Sequence, residues 1–486
     1  MTRAWLLVAL AACGDSQVIF EPVIDVPTND TASAFPLDQL TMSVAHQGDT
    51  TDLVSASFTK GQTVSLSRVP FGDDLVVHLT GFVGTSEVAY GRSCPVSVSA
   101  GSPPPEPHLY FSRLVKFGQV ATDLPALRTL GAAVTYHDGS GLLIGGYDQN
   151  TGMPAGTVER FAPQTGELSV LVGELDPDKM VPRFGTVAAP VGTGSDSQIA
   201  VIGGQNLDGT GAQVVELVEA DQPQGRHVQT VPDANMSRID LTATALTDGR
   251  VIAIGGRPPP SGAPVGDVDE ITVESGTAVV NVLRATLTTP RYGHTATRLG
   301  DDVGAAVLIA GGLDAAGTPV AAAELFKPLS ELFSPTFSAT MVVPRSRHQA
   351  VRMPDGSVLI IGGVDVSGAP IHQLELFTQD AGFVNLGTKL PPNAGVIDFT
   401  ATTLPDGRVL LTGGRQTVDG TPLATAFIAR LDPIDGSLDI VATDTLQFPR
   451  AGHQATLLCD GTVLISGGTA DQVPAERYNP PPDGRR

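Results

Sequence analysis

His348-Gln349-Ala350-Val351-Arg352-Met353-Pro354-Asp355-Gly356-Ser357-Val358-Leu359-Ile360-Ile361-Gly362-Gly363 is the stretch that decides the fold. It reads as a short strand, an Asp-Gly turn, and a second, wholly apolar strand that stops at a glycine pair. Asp-Gly between apolar runs is a strong hairpin signal, because both turn residues accept positive φ. Three residues upstream of His348 stands Arg345, and downstream Glu375 and Phe377 mark a third strand.

The same pattern returns along the chain. An apolar run ending in Gly-Gly occurs at Gly145, Gly203, Gly255, Gly311, Gly362, Gly413 and Gly467, with spacings of 58, 52, 56, 51, 51 and 54 residues. Asp138-Gly139, Asp248-Gly249, Asp406-Gly407 and Asp460-Gly461 repeat the turn. Glu159/Phe161, Glu324/Phe326 and Glu476/Tyr478 repeat the third-strand pair, and a more variable fourth strand follows. A recurrence of about 50 residues means repeated supersecondary units that bury their faces only by stacking on one another.

Composition agrees. The 486 residues contain 55 Gly and 38 Pro, which break helix interiors, while 41% hydrophobic residues supply a large core. With 29 Lys+Arg against 51 Asp+Glu, the net charge of −22 excludes the basic footprint that nucleic acid requires, so no nucleic-acid partner is expected.

This repeat resembles the kelch family, whose four-stranded units close into a β-propeller. The resemblance covers Leu114 to Pro482 and implies an all-β fold: a seven-bladed kelch-like β-propeller over residues 114–486. A linear β-solenoid fits this period less well. The family's fourth-strand Trp is missing, since Trp5 is the only Trp. The last repeat stops after its third strand, so residues 114–121 are expected to supply the missing fourth strand and close the ring. Residues 36–113 alternate apolar and polar with frequent turn signals, as in Leu75-Val76-Val77-His78-Leu79, and predict a small β-sandwich.

The amino terminus sets an address. Arg3 and the apolar run Ala4–Ala12 are too short to span a bilayer and read as an export signal over residues 1–12. Leu10-Ala11-Ala12-Cys13 resembles the lipobox of bacterial lipoproteins, which implies acylation of Cys13 and a membrane partner through the lipid anchor. Residues 13–35, with Pro22, Pro27 and Asn29-Asp30-Thr31, read as a tether. Gly14 rather than Asp after the cysteine points to the outer membrane of the cell envelope.

Two cysteines remain, Cys94 and Cys459. In an exported protein they are either a bridge between sandwich and propeller or two buried thiols. Arg128, Arg183, Arg238, Arg291, Arg345 and Arg450 begin the innermost strands, with Val396 in the remaining slot. They either ring the channel mouth as a site for an acidic ligand or pair with the repeated acids Glu159, Glu216, Glu270, Glu324, Glu375 and Glu476. Repetition favours pairing, because active sites break symmetry.

His294, His348 and His453 occupy one repeated position on separate strands, an arrangement suited to joining neighbouring units, and no metal site is expected. Galactose oxidase carries a similar propeller, but its copper centre uses a Cys cross-linked to Tyr, a second Tyr and two His, and no such grouping is legible here. No G-x-S-x-G, HExxH or phosphate loop occurs. The expectation is therefore a non-enzymatic lipoprotein without cofactor or catalytic residues, whose loop face binds an envelope or extracellular protein or glycan. The alternative is a carbohydrate-active hydrolase or lyase with an asymmetric carboxylate/Arg site in the channel.

Overall fold

The computed structural model describes residues 17–27, 36–59, 61–120, 128–148, 151–177, 179–221, 227–334, 338–432, 434–468 and 473–481. Cys13 and the export segment lie outside them. Among the described residues the chain is almost entirely β, with two single-turn 3-10 helices at Gly194–Asp196 and Ala234–Met236.

The stretch quoted above forms the first two strands of an antiparallel sheet, Gln349–Arg352 and Val358–Ile361, continued by Gln373–Thr378 and Gly382–Lys389. Each of the seven Gly-Gly repeats builds such a sheet among the described residues, six with four strands and one with five. The second strand is buried throughout its length in six of the seven, and in the other only its first residue, Gln198, is half-buried. Its side chains point alternately to the two faces, and both faces are covered. Leu359 and Ile361 pack with Val409 and Leu411 of the next sheet, while Val358 and Ile360 pack with Leu308 and Ala310 of the previous one.

The same sharing runs through the array. First strands lie against one another in chain order, and Ala132–Thr135 of the first sheet lies against Gln454–Leu457 of the seventh. Leu143 and Phe161 of the first sheet share a core with Leu458 and Leu464 of the seventh.

The outer strand of the seventh sheet comes from before the first repeat. Lys116–Gln119 pairs antiparallel with Glu476–Asn479, in the register Phe117 to Tyr478, as the sequence requires if the array is to leave no open edge. Phe117 packs on Tyr478 with ring centroids 4.9 Å apart.

The preceding module holds a six-stranded sheet whose central strands are Gln39–His46 and Gly72–Val83. Residues 17–25, read as part of the tether over 13–35, instead contribute two strands. Gln17–Phe20 pairs with Leu66–Pro70, and Val23–Asp25 runs parallel to His108–Tyr110. The physical reason is burial: Phe20 sits in one core with Met42, Leu79 and Leu109. Ser112–Arg113 forms the module's edge and leads directly into the closing strand. Asn479 donates to the carbonyls of Tyr90 and Ser112, and Cys94 is joined to Cys459 in a disulfide, Cα atoms 4.9 Å apart.

Candidate functional site

The six arginines are engaged inside their own sheets. Arg183, Arg291, Arg345 and Arg450 are fully buried. Each guanidinium reaches along its own sheet to an acid on the third strand: Arg183 to Glu216 (2.7 Å), Arg291 to Glu324 (2.7 Å), Arg345 to Glu375 (2.6 Å), Arg450 to Glu476 (3.2 Å) and Arg128 to Glu159 (2.5 Å). Arg238 pairs with Asp269, whereas Glu270 pairs with Arg250. Five of them also donate to the carbonyl of the first glycine of their own pair, for example Arg345 to Gly362 at 3.0 Å. The channel-mouth expectation for Arg128, Arg183, Arg238, Arg291, Arg345 and Arg450 is thus corrected: the long side chain spends its charge inside the repeat. Where Arg is replaced by Val396, the acid is replaced by Phe427, and the two share an apolar cluster. The ladder fixes that equivalence, since Phe427 stands opposite Leu411 as Glu375 stands opposite Ile360.

The histidines join sheets. The Nε2 atoms of His294, His348 and His453 lie 3.2, 3.0 and 3.0 Å from the hydroxyls of Thr242, Thr295 and Thr400 on the preceding sheet. Burial, with the neighbouring arginines adding to it, lowers each imidazole to a pKa of about 3. Among the described residues no three His, Cys, Asp or Glu side chains gather as metal ligands.

What the repeat leaves at the Gly-Gly end is a different ring of residues, two positions after each arginine slot. Leu130, Gly185, Asp240, Gly293, Arg347, Asp398 and Gly452 all have φ between 55° and 66°. Asp240 accepts from Arg257 (3.0 Å), whose guanidinium lies 4.2 Å over the Tyr292 ring, and Arg347 donates to Asp398 (2.7 Å). The glycines at this slot in three repeats are the sequence signal that points to it.

The asymmetric feature lies beside this ring. A cleft of about 1040 Å³ opens between the first two sheets, built by residues that follow their Gly-Gly pairs, such as Met153 and Leu207, and by Gly173, Glu174, Lys179, Val181 and Pro182. Met153, Pro154, Val170, Val181, Pro182 and Leu207 form apolar walls. Arg128, Thr157 and Glu159 also line it, together with Asp148, Glu174, Lys179, Asn206 and Asp208. Burial pushes the Glu159 carboxyl up and the Arg128 guanidinium down, each partly offset by the other's charge. Asp208 is held below the usual carboxylate range by hydrogen bonds from the Thr210 hydroxyl and backbone N–H. Glu174 accepts from the Gly156 N–H at 2.8 Å. Sequence reasoning missed this cleft, because its loops are the part of each repeat that does not recur.

No protein-family model and no curated protein sequence matches the chain. Among solved structures, a fungal alcohol oxidase of the AA5 family, in complex with copper, matches at a TM-score of 0.55 and 16% identity, over 75% of this chain and 76% of that one. At that identity the likeness is one of fold: an all-β fold resembling the galactose oxidase-like AA5 enzymes, which have kelch-type propeller repeats. It overturns the expectation of a non-enzymatic binding protein, because the fold on which that expectation rested is shared with an oxidase.

Proposed function

We propose that the chain is an extracytoplasmic carbohydrate-active enzyme that hydrolyses glycosidic bonds in the cleft between its first two sheets. In this reading the seven sheets are the blades of a seven-bladed kelch-like propeller and the preceding module is a small β-sandwich. The observation that carries the reading is the cleft: a large, apolar-walled hollow beside the ring, lined by four carboxylates, two of which, Glu174 and Asp208, the repeat does not explain.

Glycoside hydrolysis asks for one carboxyl group that protonates the leaving oxygen and a second that activates water or attacks the anomeric carbon. Glu159 is committed to Arg128, as its counterparts are in other sheets. Glu174 and Asp208 break the symmetry, whereas Asp148 holds a slot also held by Asp314 and Asp365; the acid and its partner are drawn from these three lining residues, Asp148, Glu174 and Asp208. The apolar walls offer surface to the C–H face of a sugar ring, and Asn206 and Thr157 supply hydrogen bonds to its hydroxyls.

Alcohol oxidation with copper, the property of the solved structure, does not fit the residues of this chain. Cys94 and Cys459 are joined to each other, and His294, His348 and His453 each bridge a different pair of sheets through threonine. No step is therefore routed through a metal. Acylation of Cys13 and residence at the outer membrane rest on the amino-terminal sequence, and metabolic labelling with palmitate, lost in Cys13→Ser, tests them.

The test of the activity is release of reducing ends from a panel of neutral, amino and uronic glycans by the parent protein and by Asp148→Asn, Glu174→Gln and Asp208→Asn. Cleavage that falls by about 10²-fold or more in at least one variant is expected. No cleavage by the parent, or three variants as active as the parent, contradicts the reading.

A further inference from the structure

We infer that the cleft between the first two sheets selects a glycan bearing free, protonated amines and rejects uronic acids, an inference that rests on the glycan-processing reading above. The lining carries two cations, Arg128 and Lys179, against four acids, Asp148, Glu159, Glu174 and Asp208. Both cations are engaged. Arg128 is bound to Glu159, and the Lys179 ammonium donates to the Glu174 carbonyl at 2.8 Å and lies 3.9 Å from its carboxylate. An entering carboxylate would meet an excess of negative charge and no uncommitted guanidinium.

The charge of the cleft and of the chain points the same way. Asp208 keeps its charge, because the Thr210 hydroxyl and N–H both donate to its Oδ1. The Thr157 hydroxyl, in a residue only 7% exposed beside the cleft, has no hydrogen-bond partner in the protein. The whole-chain charge of −22 favours encounter with a polycation over a polyanion.

The experiment is calorimetric titration of the full chain with a chitosan oligomer, the fully N-acetylated oligomer of equal length, and an oligogalacturonate, at low and high salt and a pH where the amines are charged. The chitosan oligomer is expected to bind about tenfold tighter than its acetylated form at low salt, the oligogalacturonate not to bind, and the preference to fade at high salt. Asp208→Asn keeps an acceptor for Thr210 and removes only the charge. It should weaken chitosan binding roughly two- to fivefold and so narrow the preference over the acetylated oligomer. Equal binding of the two oligomers, binding of the uronate, a preference indifferent to Asp208→Asn, or no binding of any probe overturns the inference. Cleavage of the acetylated oligomer without amine preference would sink the inference alone. Tight, selective chitosan binding with no cleavage of any glycan would sink the hydrolase reading alone.

Discussion

The backbone N–H of Gly468 donates to the carbonyl of Arg128 at 2.9 Å, joining the last repeat to the first. The same bond links every neighbouring pair of repeats: Gly146 to Arg183, Gly204 to Arg238, Gly256 to Arg291, Gly312 to Arg345, Gly363 to Val396 and Gly414 to Arg450. It survives the loss of arginine at Val396 because it is a main-chain bond. It also explains the first glycine of each pair. A Cβ on Gly467 would stand 2.0 Å from the Arg128 carbonyl oxygen, and one on Gly362 would stand 2.6 Å from that of Val396.

Gly467→Ala should therefore cost more than its backbone conformation alone. Gly276, in an open turn at φ 77° with nothing within 4 Å of an added Cβ, is the control. Denaturant unfolding should show a loss of about 1–2 kcal/mol for Gly276→Ala and at least about 2 kcal/mol more for Gly467→Ala. Equal losses would mean that the close approach does not matter.

The Arg–acid pairs make a second prediction. Arg345→Val leaves Glu375 buried without its cation and should cost about 3–5 kcal/mol. The sixth sheet shows the apolar solution, Val396 with Phe427. Arg345→Val combined with Glu375→Phe should therefore recover much of that loss in the same unfolding measurement. A double variant as unstable as the sum of the single changes would contradict the pairing.

Acid should weaken the joints between sheets. His294, His348 and His453 have folded pKa values of about 3, below the ordinary 6.5, so the folded state holds them neutral. Their contribution is complete above pH 6.5 and is lost as pH falls from there toward about 3, by up to about 1.4 kcal/mol per pH unit for each histidine. His348→Gln should lower stability at neutral pH and flatten this decline. A variant whose stability falls as steeply as the parent's would show that His348 does not titrate in that window.

The architecture was legible in the sequence because the elements that build it recur. The Gly-Gly pairs, the Asp-Gly turns and the vacant outer edge of the last repeat each follow from local chemistry that seven copies amplify. Other features were not legible for particular reasons. Glu270 stands one position past the acid that faces Arg238: Asp269 stands opposite Ala253 as Glu375 stands opposite Ile360, so the repeat's slot holds Asp269. Residues 17–25 carry a loop-like proline, Pro22, yet Val18, Phe20 and Ile24 find burial against strands remote in sequence. The arginines reach inward because the carbonyl of the first glycine and the third-strand acid lie within reach of a guanidinium, which residue spacing alone does not reveal. The cleft between the first two sheets is assembled by unrepeated loops, so no periodicity announces it.

The disulfide fastens the amino-terminal module to the turn of the seventh sheet across 365 residues of sequence. Alkylation of the denatured protein without reductant should leave Cys94 and Cys459 unmodified. Cys94→Ala should lower stability by about 2–5 kcal/mol. Modification of both residues without reductant would contradict the bridge.

The whole arrangement depends on residues 116–119 completing the sheet that the last repeat leaves unfinished, and hydrogen exchange reads this directly. Val115 and Val120 donate their N–H groups to Asn479 and Ala475 at 2.9 Å, on either side of the paired strand. Peptides covering 115–120 should exchange as slowly as those covering 476–479, and both should open together as denaturant rises. Rapid exchange of 115–120 while 476–479 stays protected would contradict closure of the array by its own leading strand.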